Sequence, residues 1–215
     1  MKTSILAGLI LTAVAALAAA PAPASAAPLQ GAARTEALAQ ANAALNELRQ
    51  VKGRFVQVAP DGGVSEGQFY LQRPGRVRFA FEGAAPLTIV ADGATVAVAD
   101  ARLKTVDRTP LRATPLFFVL KSDINLERDA RIAGVDRDGE ALTVTLRDRK
   151  GEADGALSLL FVGGAEPELR GWRVTDATGQ VTQVSLKDLA ATAKLDPGLF
   201  VLEDPNDSAG RRRGR

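Results

Sequence analysis

The feature that most constrains the fold of this chain is a period-2 alternation of apolar and polar residues. In Arg76–Glu82, Val77, Phe79 and Phe81 occupy every second position, and charged residues stand between and beside them. Successive side chains of a β-strand point to opposite faces, so this spacing predicts a strand with one apolar face. The same alternation recurs through the chain at Phe69 and Leu71, Val96 and Val98, Leu142–Leu146, Leu157–Phe161, Trp172 and Val174, and Val184 and Leu186.

Short turn sequences separate these apolar runs. They are Asp61-Gly62-Gly63, Arg73-Pro74-Gly75, Asp92-Gly93, Asp138-Gly139, Gly163-Gly164 and Thr178-Gly179. Strands at such short intervals are typical of an antiparallel meander. Ten or eleven strands are predicted, and an open sheet of that size tends to curl into a barrel or half-barrel.

Two helical segments interrupt the β pattern. Leu38, Ala41, Leu45 and Leu48 recur at helical spacing, which predicts a helix from Thr35 to Gln50 that stops at Lys52-Gly53. Thr114 and Pro115 are suited to the N-cap and first position of a short apolar helix that ends near Lys121. Such a helix is unstable alone. It must pack as part of the core at the end of the barrel or as a lid over a cavity, and the pattern alone leaves both open.

The ends of the chain differ from its middle. Residues 1–26 have the basic start, apolar stretch and Ala24-Ser25-Ala26 cleavage site of a secretory signal peptide. Residues 27–203 form the predicted folded domain, and residues 204–215 are predicted to be a disordered basic tail that ends in Arg211–Arg215. Of 27 basic and 25 acidic residues, Lys2 and the four arginines of the tail lie outside the domain, which therefore has a slight acidic excess.

The composition excludes several kinds of chemistry. The chain has no histidine and no cysteine, so Ser-His-Asp and Cys-His catalysis, ordinary zinc sites and the usual haem or iron–sulfur ligation are excluded. No phosphate-binding glycine loop is present, and no basic face interleaved with aromatic residues indicates nucleic-acid binding. A carboxylate-pair hydrolase stays formally open, but no local motif marks such a pair. We therefore predict no catalytic residue, no metal and no cofactor.

Several segments in this order resemble the LolA family of periplasmic lipoprotein carriers. They are Gly53-Arg54-Phe55-Val56-Gln57, the stretch Glu66–Arg76 with its Arg73-Pro74-Gly75, Pro86–Gly93, the helix that begins Thr114-Pro115-Leu116, Trp172–Asp176 and Leu199-Phe200. The resemblance covers about residues 35–202. It implies a mainly β fold, a half-open antiparallel β-barrel of about eleven strands with a helical lid.

The resemblance also implies a function and partners. Relatives of this kind take the acyl chains of lipoproteins from an inner-membrane ABC transporter, cross the periplasm and deliver the cargo to an outer-membrane receptor where one exists. A monomer is expected. The alternative is a periplasmic module that senses lipids or lipoproteins and signals to a partner. Relatives of that kind usually carry an additional domain, and cleavage after Ala26 leaves 189 of the 215 residues, too few for one.

The resemblance assigns roles to particular residues. Arg73 matches the arginine that hydrogen-bonds the lid and holds the empty cavity shut, and its planar fork of donors suits several carbonyls at once. Alternation alone leaves open which strand face lines the cavity. The candidates for the cavity and lid are Phe69, Leu71, Val77, Phe79, Phe81, Phe117, Phe118, Leu120 and Trp172.

Overall fold

Eleven antiparallel strands in a single sheet dominate the structure, a computed structural model that describes residues 27–83, 87–149 and 155–202. This confirms the predicted fold class. The strands are β1 (Gln50–Val58), β2 (Val64–Gln72), β3 (Arg76–Phe81), β4 (Leu87–Asp92), β5 (Thr95–Asp100), β6 (Thr105–Pro110), β7 (Arg131–Asp138), β8 (Ala141–Arg147), β9 (Ala156–Val162), β10 (Glu168–Thr175) and β11 (Val181–Ala191).

The sheet consists of two meanders that join at one seam. Its strand order is β6-β5-β4-β3-β2-β1-β11-β10-β9-β8-β7, so β1 pairs with β11 in the middle and β6 and β7 form the two edges. The chain crosses from one edge to the other through the segment 111–130, which holds the short helices. The predicted turns all lie between consecutive strands. Gly75 (φ 79°) and Gly139 (φ 56°) adopt the left-handed conformation that glycine accepts without strain.

The first helix is confirmed, with different ends. It is α1 (Gly31–Glu47), and it buries Ala37, Leu38, Ala41 and Leu45. The predicted stop at Lys52-Gly53 is wrong, because both residues lie in β1. Gly53 has another reason to be a glycine: a β-carbon there would come within 2.7 Å of the Lys187 carbonyl oxygen on β11. The glycine therefore permits the close approach of β11 at an irregularity in the seam between Lys52 and Arg54.

The second helical segment is shorter than predicted. Residues Leu111–Ala113 form a 3-10 turn, α2 spans Phe117–Leu120 and α3 spans Leu126–Asp129. The predicted N-cap at Thr114 is wrong. Its hydroxyl donates to the carbonyl oxygen of Leu111, at 2.8 Å, and Leu116 occupies the N-cap position of α2. An N-cap hydroxyl accepts from a helix N–H, whereas the Thr114 hydroxyl donates to the preceding 3-10 turn.

The core lies on the face of the sheet that α1 and the short helices cover, and it is rich in aromatic contacts. Phe55 is fully buried and meets Phe79 and Phe81 edge to face, with ring centroids 5.2 and 4.8 Å apart. Phe79 also contacts Phe69 and Trp172, at centroid distances of 5.2 and 6.0 Å. Such pairs stabilise a core beyond the apolar area that they bury. The alternating apolar residues therefore share the inner face.

A second, smaller apolar cluster lies on the outer face. After β11 the chain runs back over the sheet, and its 3-10 turn Pro197–Phe200 packs Phe200 against Val90 and Leu195. Arg78 donates to the Leu199 carbonyl oxygen at 3.0 Å, and Arg108 donates to that of Leu202 at 3.2 Å. We call residues 192–202 the C-terminal strap.

Two predicted segments lie outside the described residues: the signal peptide at 1–26 and the basic tail at 204–215. Within the described ranges, no helix has the length and apolarity needed to cross a bilayer.

Candidate functional site

A cavity of about 180 Å³ lies between the sheet and the short helices. Its walls come from both meanders and from residues 115–119, which cover it. Most of its lining is aliphatic or aromatic, and it contains no charged side chain. The lining residues are Gln57, Phe79, Phe81, Ile89, Pro115, Leu116, Val119, Leu157, Leu159, Trp172, Val174, Thr182 and Val184.

A second cavity of about 20 Å³ lies beside the first, toward α1. Both cavities are lined by Phe79, Trp172, Leu116 and Val119. Leu116 and Val119 belong to the covering segment, whose apolar side chains thus fill the space between the two cavities. We call residues Thr114–Lys121 the lid.

The predicted cavity and lid residues fall into three groups. Phe69, Leu71, Val77 and Leu120 line the smaller cavity, Phe81 lines the larger one, and Phe79 and Trp172 line both. Phe117 and Phe118 lie in the lid but line neither cavity. Their ring centroids are 6.2 Å apart, and the Lys121 ammonium lies over the Phe117 ring, 5.6 Å from its centroid.

The sequence prediction missed one wall of the larger cavity. Leu157, Leu159, Val174 and Val184 lie on β9, β10 and β11 and point inward. Their alternation was visible, since each shares a strand face with another apolar residue. Ile89, Leu116 and Val119 carried a weaker signal, because they lie in almost wholly apolar stretches where no alternation distinguishes the two faces.

Arg73 connects α1 to the lid. Its Nε donates to the Leu48 carbonyl oxygen at 2.7 Å, one terminal nitrogen donates to that of Asn46 at 2.8 Å, and the other donates to that of Lys121 at 3.2 Å. Burial lowers the pKa of Arg73, and nearby Arg49 acts in the same direction, whereas Asp123 opposes both. Because the ordinary pKa of arginine lies above 12, the guanidinium stays charged. A charged donor makes hydrogen bonds roughly twice as strong as neutral ones.

The lid has two further attachments at its C-terminal end. The Gly75 N–H donates to the Leu120 carbonyl oxygen at 2.7 Å, and the Lys121 ammonium forms an ion pair with Asp129. Asp129 is largely buried and also accepts hydrogen bonds from Arg128 and from the Asn125 N–H. Burial alone would raise the pKa of Asp129, but these hydrogen bonds hold it at about 2.

Two asparagines of α1 fasten the segment that follows the lid. The Asn46 side chain donates to the Ile124 carbonyl oxygen at 2.8 Å and accepts from the Ile124 N–H at 3.1 Å. Asn42 accepts from the Leu126 N–H at 2.9 Å. Since the Asn46 carbonyl oxygen also accepts from Arg73, one turn of α1 is the common support of the lid and of α3.

The arrangement is suited to holding an apolar ligand. A dry cavity of roughly 150 Å³ accepts a molecule of the size of benzene. The larger cavity is of that order, so a longer hydrocarbon chain requires the lid to move. Across the described ranges, acidic side chains nowhere gather in a group of three that could hold a metal ion.

Solved structures with a similar fold include a LolA superfamily protein from Nitrosomonas europaea. The two chains have a TM-score of 0.44 and 13% sequence identity, over 79% of this chain and 97% of the other. MucB is similar at a TM-score of 0.43 and 18% identity, over 80% of this chain and 64% of MucB.

Relatives found by sequence are more similar to this chain than these solved structures are. The outer-membrane lipoprotein carrier protein of Methylibium petroleiphilum is 30% identical, over 81% of this chain and 89% of that protein. The carrier protein of the same name from Chromohalobacter salexigens is 27% identical, over 87% and 92%. The family model described as outer membrane lipoprotein carrier protein LolA matches residues 46–203, most of the chain. This chain therefore belongs to the LolA family.

Proposed function

We propose that this protein is a periplasmic carrier that binds the acyl chains of lipoproteins in the cavity beneath the lid. The single observation that carries the proposal is the apolar cavity, which is covered by a lid whose own apolar side chains line it. The name of the related carrier proteins agrees with a lipoprotein as cargo.

The energetics favour such a cargo. Burying each methylene group of a chain contributes about 0.8 kcal/mol, so an acyl chain that is insoluble in water binds strongly to an apolar wall. The described cavities are too small for a long chain. Loading therefore displaces Leu116 and Val119, and joins the two cavities into a longer one.

Release depends on the contacts that the lid makes when the cavity is empty. When the lid closes, its apolar side chains return to the cavity and Arg73 regains its carbonyl acceptors on α1 and at Lys121. These interactions belong to the empty protein and compete with the cargo. In this proposal Arg73 is the residue that favours closure, and it keeps the affinity for acyl chains low enough for onward transfer.

The proposed route runs from an inner-membrane lipoprotein-releasing ABC transporter to the outer membrane, where a receptor accepts the cargo if the cell has one. A carrier on this route works in the periplasm, which agrees with the predicted signal peptide. The proposal includes no catalytic step and no cofactor.

The test is to purify the protein from periplasmic extract and to identify what accompanies it by mass spectrometry. We expect acylated lipoproteins with the wild type. They should be absent with Val174→Asp, which places a charge in the cavity, and present with Thr175→Asp, a control on the opposite face of β10. A signalling protein without bound lipid would instead support the sensing module. Equal recovery of lipoproteins with both variants would contradict binding in this cavity.

A further inference from the structure

Two polar side chains interrupt the apolar wall of the larger cavity. Besides the Trp172 indole, Gln57 and Thr182 are its only lining residues with a polar side-chain group. They lie on the neighbouring strands β1 and β11. Gln57 is directly opposite Val184, so Thr182 is its diagonal neighbour on the same face. Diagonal neighbours of antiparallel strands are about 7 Å apart, close enough to serve one ligand.

Both side chains lie at one end of the cavity. Gln57 is the last residue but one of β1, and Thr182 is the second residue of β11, so both stand next to the turns at that edge. Both are partly exposed, whereas Leu159 is fully buried and Phe79 is 5% exposed. The cavity thus has a polar end that water reaches and an apolar interior.

Neither polar group has a hydrogen-bond partner among the residues that the structure describes. Within the described ranges, the Gln57 amide and the Thr182 hydroxyl make no hydrogen bond to another residue. An amide or a hydroxyl that loses water without gaining a partner destabilises whatever covers it. A wholly hydrocarbon ligand that reached this end would impose that cost. A ligand with an acceptor at this position would avoid it.

An acyl chain carries such an acceptor at one end only. It is a run of methylene groups that ends in the carbonyl of an ester or amide. With the chain in the interior, the carbonyl oxygen of the linkage falls where apolar wall gives way to polar groups. The Gln57 amide and the Thr182 hydroxyl are both hydrogen-bond donors.

We propose that Gln57 and Thr182 bind the linkage carbonyl oxygens of the acyl chains, and so set the depth to which a chain enters the cavity. This inference rests on the proposed function, since it names a feature of the same ligand at the same site. The two residues then determine specificity, because they allow the site to distinguish acyl chains from alkyl chains of equal length.

The experiment compares two soluble probes that differ only in the linkage, dioctanoylglycerol (two esters) and dioctylglycerol (two ethers). Their affinities are measured by calorimetry for the wild type, Gln57→Leu, Thr182→Val and the double variant. The quantity compared is the ratio of ester affinity to ether affinity within each protein. When this ratio is compared between two proteins, the difference in hydration between the two probes cancels. Gln183→Leu is the control, because Gln183 adjoins Thr182 but lies on the outer face beside Arg173.

We expect the ratio to fall about tenfold from the wild type to the double variant, because two modest hydrogen bonds are lost. Each single variant should show part of the loss, and Gln183→Leu should keep the wild-type ratio. The ether probe should bind all the variants at least as well as it binds the wild type, which also shows that they are folded. An unchanged ratio in the double variant would overturn this inference alone. Failure of the wild type to bind either probe would overturn the proposed function as well.

Discussion

At the scale of single residues, Arg73 connects three segments of the chain at the site. One side chain contacts the end of α1, the stretch before β1 and the end of the lid through three backbone carbonyl oxygens. Leucine removes both the charge and the donors, and lysine keeps the charge without the planar fork. These two substitutions separate charge from geometry.

Arg73→Leu should stabilise the loaded form relative to the empty form. The substitution removes three hydrogen bonds that exist with the lid closed, each worth about 1 kcal/mol or more. If loading breaks all three, the apparent affinity for acyl chains rises by about 100-fold or more. We expect loading to be intact and transfer to outer-membrane vesicles to be impaired, as measured with a fluorescent lipoprotein. Arg73→Lys should be intermediate. Normal transfer by Arg73→Leu would rule out the proposed role of Arg73.

Asp129 should make stability depend on pH in acid. Folding lowers its pKa from 3.8 to about 2, so its carboxylate stabilises the protein above about pH 4, and this contribution is lost as the pH falls toward 2. The shift corresponds to about 2 kcal/mol. In denaturant unfolding at pH 6, the free energy of unfolding of Asp129→Asn should be lower than that of the wild type by this amount. The difference should vanish near pH 2.

The control for this experiment is Asp123→Asn, which removes the exposed partner of Arg128. An exposed ion pair contributes little to stability, so this variant should follow the wild type at every pH. A constant deficit of Asp129→Asn from pH 6 to pH 2 would mean that the ion pair is not its cause.

At the scale of elements, the lid shows the limit of the sequence prediction. The sequence predicted its position and its apolar character. It could not predict which residues face the cavity, because a one-turn helix in which every residue is apolar has no polar face to set its rotation. Phe117 and Phe118, the largest side chains, turn away, while Leu116 and Val119 line the cavity. The strands were predictable because alternation fixes their faces.

A fluorophore on the lid should report loading. The chain has no cysteine, so Phe117→Cys gives a single labelling site on a partly exposed residue that lines neither cavity. Because an acyl chain needs the space that Leu116 and Val119 occupy, we expect emission to change in proportion to bound dioctanoylglycerol. Leu103→Cys, in the exposed turn between β5 and β6, is the matched control and should not respond. Binding without any change at position 117 would exclude movement of the lid.

At the scale of the whole molecule, the sheet has an apolar core on each face. The sequence predicted the inner core through its alternating runs. It did not predict the C-terminal strap, because Leu195, Leu199 and Phe200 lie in a short stretch with no period, and their position depends on tertiary contacts with Val90 and Arg78. The resemblance marked Leu199-Phe200 without indicating the face on which they pack.

Substitutions in the two cores should distinguish effects on stability from effects on binding. Leu159→Ala and Phe200→Ala each remove a buried side chain, and each should lower the free energy of unfolding by about 3 kcal/mol. Only Leu159 lines the cavity. We therefore expect Leu159→Ala to change the affinity for dioctanoylglycerol and Phe200→Ala to leave it at the wild-type value, with unfolding in denaturant as the measure of stability. An equal change in affinity for both variants would mean that the outer core also controls the cavity.

The seam between β1 and β11 has a consequence for how the chain reaches its native state. Within each meander, neighbouring strands follow each other closely in sequence, whereas the seam joins positions as distant as Phe55 and Leu186. Closing a long loop costs more chain entropy than closing a hairpin, and distant contacts slow folding. We expect the two meanders to form first and the seam to form last. Until then the inner face of each meander lies open to water, so a newly made chain is most prone to aggregate just before β1 pairs with β11.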